Sequence, residues 1–173
     1  RMVDKDGGGL IPPGQFLPVA ERYGIVPDID RWVVAHALGW LSSLGGHAQQ
    51  IRMNVNISGP AASDPQFHGH VRTCIDAHRV PAESICLEIT ESDAVRSLAN
   101  AAALIEGLGD LGCRFALDDF GSGMSSFNQL RHLNIDYLKI DGSFIHNIDR
   151  DEVNRAMVES INTIGKKLGK QTI

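Results

Sequence analysis

What this chain lacks narrows its class first. No apolar run approaches the roughly 20 residues needed to span a bilayer, so no segment reads as a transmembrane helix. The opening residues, Arg1-Met2-Val3-Asp4-Lys5-Asp6, are polar and run into glycines, unlike the apolar stretch of a secretion signal. A cytoplasmic setting is expected, with membrane tethering of a longer parent left open. Basic residues form no cluster, and 16 Lys and Arg against 21 Asp and Glu leave a net charge of −5. Duplex nucleic acid usually wants a concentrated positive face, so it is not an expected partner. A small anionic ligand stays admissible, because bound metal ions reverse the local sign. Cysteine is scarce: Cys74, Cys86 and Cys113 are odd in number and far apart. They suit core packing in a reducing compartment better than a disulfide or zinc framework.

What is present is ordinary globular material. The 173 residues are 43% hydrophobic and 21% charged, enough to bury a sizeable core and, by length, a single domain. Glycine and proline make residues 7–15 a loop. A short amphipathic helix follows over 16–23, and Asp28 opens a longer one to about Leu44. There Ile29, Trp32, Val33, Ala37, Trp40, Leu41 and Leu44 recur at helical spacing, which assigns both tryptophans to the core. Residues 51–57 alternate, with Ile51, Met53, Val55 and Ile57 on one face and Arg52, Asn54 and Asn56 on the other, the period of a strand. Asp64-Pro65 supplies a cap and a first-turn proline for the next helix.

Further strands are expected at 85–90, 114–118 and 137–140, with a last one beginning at Gln171-Thr172-Ile173. Helices are expected from Ser92 or Asp93 to about Leu111, near 125–133, and over 151–168. Lys166 and Lys167 sit in the final turn of the last helix, where cations favour the negative end of its dipole. His68 and His70 are two apart, a poor spacing for one helical face, and are read as structural.

Four strands end alike, in Val55-Asn56-Ile57, Leu87-Glu88-Ile89, Leu117-Asp118-Asp119 and Leu138-Lys139-Ile140. Their central residues are 32, 30 and 21 positions apart, room for a helix and its loops each time. Strand–helix alternation implies right-handed crossovers and a mostly parallel sheet. An open doubly wound sheet and a β/α barrel both fit. The barrel explains better why Asn56, Glu88, Asp118 and Lys139 all sit late in their strands and in the polar phase, since its site lies at the carboxyl ends of the strands.

Asn and carboxylates are hard oxygen ligands, suited to magnesium or manganese rather than zinc. The adjacent pair Asp118-Asp119 offers one carboxylate to each of two ions. Two close ions can clamp a phosphodiester and activate water, and a lysine can orient that water or offset developing charge. A single Glu or Lys late in a strand is more often half of a salt bridge. Four such positions in successive strands make a site the stronger reading.

The segments Asn56-Ile57-Ser58, Leu87-Glu88-Ile89-Thr90-Glu91-Ser92, Asp118-Asp119-Phe120-Gly121-Ser122-Gly123 and Tyr137-Leu138-Lys139-Ile140-Asp141 resemble the signature blocks of the EAL domain family, as does Phe16-Leu17-Pro18-Val19-Ala20-Glu21. They occur in family order over nearly the whole chain. The resemblance implies a TIM-like β/α barrel, incomplete here, with about five of eight strands and the first and last cut short. It implies hydrolysis of cyclic di-GMP to linear pGpG with Mg2+ or Mn2+ in a two-metal site. By the same resemblance Asn56, Glu88 and Asp118 would bind the first ion, and Asp119 would serve the second. Lys139 would hold the attacking water, and Glu91 would anchor the mobile Asp118–Gly123 loop, a region that also makes dimer contacts. Arg1 would contact a ligand phosphate.

The Glu-Ala-Leu block itself is expected just before Arg1, and another metal-binding Glu just past Ile173. The 173 residues are therefore read as an excerpt of a longer protein. Alone they are expected to turn over cyclic di-GMP poorly. The stretches 139–144 and 155–159 look like EAL domains fused behind a GGDEF cyclase domain, and a sensor domain is another expected attachment. The competing readings are a non-catalytic cyclic di-GMP receptor and a dimerising regulatory module; intact ligand positions argue against both. Asp141, in the inward phase of Lys139, is expected to support the site from behind.

Overall fold

The computed structural model describes residues 2–5, 7–122, 131 and 133–173. The chain starts with an antiparallel hairpin of β1 (Met2–Val3) and β2 (Leu10–Ile11), so Leu10 and Ile11 belong to a strand and not to the expected loop. Helix α1 (Pro13–Arg22) starts earlier than its apolar pattern, because a first-turn proline has no amide to leave unpaired.

Helix α2 (Val26–Ser43) follows. Its buried side carries Val26, Asp30, Val34, Leu38 and Leu41. Trp32 and Trp40 are 55% and 51% exposed, which overturns their assignment to the core. The helix is apolar on more than one side, and among the described residues the side that carries Val34, Leu38 and Leu41 is the one fully covered. Trp32 instead stacks on His36, with ring centres 3.7 Å apart.

Five strands then form one parallel sheet: β3 (Met53–Asn56), β4 (Ile85–Thr90), β5 (Arg114–Phe120), β6 (Tyr137–Ile140) and β7 (Gln171–Thr172). Their order in the sheet is their order in the chain. A doubly wound sheet reverses direction at a switch point; this one does not, and it forms an arc of a β/α barrel. Between β3 and β4 run α3 (Gly59–Ala62) and α4 (Pro65–His78), the latter capped by Asp64, whose Oδ1 accepts from the Gln66 amide at 2.9 Å.

The expected single helix over 92–111 is two, α5 (Glu91–Arg96) and α6 (Leu98–Gly109). Thr90, rather than Ser92 or Asp93, caps the first, and the backbone of Ser97 leaves helical geometry between them. Short α7 (Gly142–Ile145) and long α8 (Glu152–Lys167) link β6 to β7. The helix expected near 125–133 falls largely outside the described residues. No helix among the described residues is long and apolar enough to cross a membrane.

The sheet's two faces divide the labour. Outward side chains Val55, Ile85, Leu87, Ile89, Phe115, Leu117 and Leu138 are all nearly inaccessible and pack with Phe67, Val71 and Ile75 of α4 and Leu104, Ile105 and Leu108 of α6. Each fully buried Leu, Ile or Phe stabilises by roughly 1.5–3 kcal/mol relative to exposure, so this layer holds the fold. The inward face has a small separate cluster, Cys86, Ala116 and Tyr137, and is otherwise polar. At the amino ends of the strands Arg52 donates to the Tyr137 hydroxyl, and Arg114 pairs with Asp136 at 2.6 Å. Lys170, 9% exposed, ties the start of β7 to the chain before β6 by donating to the carbonyls of Leu133 and Ile135 at 2.9 and 3.1 Å.

Candidate active site

At the opposite rim, the carboxyl ends of β3 to β6 bring four candidate residues close. Register pairs Asn56 with Glu88, and the Ile57 amide extends that ladder by donating to the Glu88 carbonyl at 2.9 Å. Glu88 is 3% exposed. A buried carboxylate is costly unless its oxygens are bonded, and both are. Oε1 accepts from Asn54 Nδ2 at 2.7 Å, and Oε2 accepts from Lys139 Nζ at 2.8 Å. The same ammonium lies 3.0 Å from Asp118 Oδ2. Glu88, Asp118 and Lys139 thus form one cluster, with Asn56 beside it.

Burial alone would lower the Lys139 pKa, but the hydrogen bonds from its ammonium to Glu88 and Asp118 and their negative charges outweigh that and hold it above its ordinary value. Lys139 therefore stays an ammonium at neutral pH. In that form it can orient water or offset charge.

Strict alternation would turn Asp119 away from Asp118 toward the helices. The sheet avoids this with a bulge. Leu117 pairs with Leu138 and Phe120 with Ile140, so Asp118 and Asp119 together oppose Lys139. Asp119 takes a left-handed backbone (φ 53°), its amide donates to Asp118 Oδ1 at 3.0 Å, and its carbonyl accepts from the Ser122 hydroxyl at 2.8 Å. Phe120 can then return to the outer core while Asp119 remains exposed at the rim. Burial, then repulsion from Asp118 and Asp141, raises the Asp119 pKa against the pull of Lys139.

Glu91, 2% exposed at the start of α5, accepts from the Gly121 amide through Oε2 at 2.8 Å. Gly121 has φ 98°, a conformation other residues resist. A Cβ there would also meet the Phe144 ring at 2.8 Å and Ile161 at 3.2 Å. The turn after Asp119 is thus gripped from the start of α5 on one side and from α7 and α8 on the other. Asp141 caps α7 through the Ser143 amide at 2.7 Å, and bonds from Ser143 and Ser122 hold its pKa below the usual value. Arg1 and Gly123 lie outside the described residues.

The sequence pattern places Asn54 and Tyr137 in their strands without giving either a hydrogen-bonding partner. Both share the inward phase of their functional neighbours, two positions away in the same strand, and that phase was the available signal. Two hollows lie at the other rim or between α6 and β5, near Arg52 and Glu83 (about 610 Å3) and near Cys113 and Asp136 (about 570 Å3). Neither holds the converging carboxylates. A third cleft of about 450 Å3 lies over the turns that follow β3 and β4, lined in part by Glu21, Ser58, Thr90, Asp93 and Arg96, and the carboxylates of Glu88 and Asp118 do not line it either.

Among the described residues no three His, Cys, Asp or Glu side chains are grouped to hold a metal, and Lys139 Nζ lies between Glu88 and Asp118, 2.8 and 3.0 Å from their oxygens. The donor chemistry nevertheless fits a hard divalent cation. Two carboxylate oxygens already converge on one cationic centre, and the Asn56 amide lies on the adjacent strand.

The sequence matches the EAL domain model over residues 1–173. It is 34% identical over 171 residues to the cyclic di-GMP phosphodiesterase PdeB of Shewanella oneidensis, covering 99% of this chain and 20% of that protein. It is 36% identical over 152 residues to the cyclic di-GMP phosphodiesterase PdeF of Escherichia coli, covering 88% and 20%. The chain thus spans about a fifth of the length of the curated relatives it matches. The solved PaMucR phosphodiesterase in complex with c-di-GMP aligns with a TM-score of 0.88 at 34% identity, over 95% of this chain and 67% of that one. The FimX EAL domain from Pseudomonas aeruginosa bound to c-di-GMP aligns with a TM-score of 0.90 at 30% identity, over 99% and 68%. Strand order, block order and the family match agree from end to end: this chain belongs to the EAL domain family.

Proposed function

We propose that this chain is the catalytic portion of a metal-dependent cyclic di-GMP phosphodiesterase that opens the ring at one phosphodiester bond and yields linear pGpG. The observation that carries the reading is the meeting of Glu88 and Asp118 on one ammonium, at 2.8 and 3.0 Å, beside Asn56 at the same rim. The names of PdeB and PdeF, and the PaMucR and FimX structures with c-di-GMP, support the substrate.

Asn56, Glu88 and Asp118 would hold one Mg2+ or Mn2+, and Asp119 would serve a second. When bound, such ions polarise the phosphoryl oxygens and make water a stronger nucleophile. The chain's own residues do the remaining work. Lys139, fixed as an ammonium, holds the attacking water and offsets charge as it builds. Glu91 fixes the turn that presents Asp119, and Asn54 keeps Glu88 from rotating. Arg1 would hold a ligand phosphate. The Asp118–Gly123 region would contribute to a homodimer. The length of the relatives, among them a MucR named as a bifunctional diguanylate cyclase/cyclic di-GMP phosphodiesterase, supports attached domains such as GGDEF.

The test is Asp118→Asn in the full-length protein. It should abolish turnover of cyclic di-GMP and weaken Mn2+ binding; unchanged activity removes Asp118 from the site.

A further inference from the structure

Asn56 differs from the other donors in how it is held. Glu88 is fixed by Asn54 and Lys139, and Asp118 by Lys139 and the Asp119 amide. The Asn56 carboxamide makes no hydrogen bond to a described residue, so its aim depends on its backbone. That backbone enters a hard turn two residues later, at Ser58. Every polar group of Ser58 is engaged. Its amide and its hydroxyl both donate to Asp30 Oδ2, at 3.1 and 2.6 Å. Its hydroxyl oxygen accepts from the Ala61 amide at 3.2 Å, and its carbonyl accepts from the Ala62 amide at 2.9 Å.

Asp30 reaches this turn from the buried side of α2 and is only 8% exposed. A carboxylate there costs free energy that an apolar residue would not. Burial raises its pKa, against the opposing hydrogen bonds from Ser58 and the charge of Arg31. The other side of the turn is closed as well: a Cβ at Gly59 would come within 2.6 Å of the Asp93 carboxylate. The turn is therefore clamped between α2 and α5.

We propose that Asp30 is a positioning residue for the metal site: through Ser58 it fixes the β3–α3 turn and so aims the Asn56 carboxamide at the cation. The proposal rests on the metal reading of Asn56 given above. It differs from a purely structural role in one respect. Asp30 should matter to metal binding only while Asn56 is there to be aimed.

The experiment is a double-mutant cycle on Mn2+ affinity in the full-length protein, measured by titration calorimetry, with circular dichroism to confirm folding. Asn56→Ala and Asp30→Ala should each weaken Mn2+ binding by about tenfold or more, the usual effect of losing a group that orients a ligand. The double variant should bind no more weakly than Asn56→Ala alone. Asp30→Asn keeps an acceptor oxygen for Ser58 and should stay within about threefold of the unaltered protein. If Asp30→Ala does not fold, Ser58→Ala replaces it in the cycle with the same expected non-additivity. Unweakened binding in Asp30→Ala, or losses that add, overturns the proposal and leaves the metal reading standing. Absence of Mn2+ binding in the unaltered protein overturns both.

Discussion

The two faces of the parallel sheet are built from the same strands and obey opposite rules. Leu87, facing out, is fully inaccessible among aliphatic and aromatic neighbours. Glu88, the next residue, faces in, is almost as buried, and is held by Asn54 and Lys139. One face is tuned by volume and the other by pairing of donors, acceptors and charge. A change of shape on the first should cost stability. A change of charge on the second should cost chemistry.

The sharpest way to break that division is to alter adjacent residues on one strand. Glu88→Gln keeps the volume and an acceptor for Asn54 while removing the charge. Cyclic di-GMP turnover should fall to background, while unfolding free energy changes less than in Leu87→Ala. Leu87→Ala should lose about 2–5 kcal/mol, as buried large-to-small changes do, and its remaining folded fraction should keep its specific activity. Urea unfolding and activity per folded molecule, measured on both variants, decide it. Equal loss of stability in the two would mean that the faces are not separable.

Gly121→Ala tests where the faces meet. The added methyl would enter the space of Phe144 and Ile161 and would have to adopt a positive φ. A cost of about 1–3 kcal/mol is expected, together with loss of turnover, because the turn carrying Asp119 would shift. Unaltered activity with intact stability would uncouple that turn from the site.

A smaller effect concerns Asp30. Its pKa is raised on folding, so the folded state binds its proton more tightly than the unfolded chain does. That contribution is fullest below the unfolded value of about 3.9 and is lost as pH rises through the folded value. Asp30→Asn should therefore flatten the stability profile in the weakly acid range, measured by unfolding at a series of pH values. An unchanged slope would show that other groups set it.

The mildest test uses the thiols. Burial, with the charge of Glu88 added, pushes Cys86 up to about 12, and burial pushes Cys113 up to about 11. Both should resist iodoacetamide at pH 8 until the protein is unfolded, as read by mass spectrometry. Rapid labelling of Cys86 in the native protein would show that the inner face is open.

Much of this arrangement was legible in the residues. Period-two alternation put Asn56, Glu88, Asp118 and Lys139 in one phase, and the Asp64 cap and the strand at 137–140 fell where they were read. The misses share one cause. Helical spacing in α2 marks several apolar sides without saying which will find a partner, so Trp32 and Trp40 were misassigned. Ser97 breaks a helix whose apolar spacing runs on without interruption. Asn54 was seen as inward but not as the hydrogen-bond partner of Glu88.

By itself, then, the sequence determined the alternation of strands and helices, the face on which each strand residue stands, and the acidic and amide groups available at one rim. These follow from local rules, the two-residue pleat and the 3.6-residue turn. Only the tertiary structure decided that a bulge sets Asp118 and Asp119 together against Lys139, that one ammonium joins carboxylates from two other strands, and that Asp30 reaches across from α2 to brace the turn after Asn56. Those outcomes depend on register and packing between segments distant in the chain, and no local periodicity encodes them.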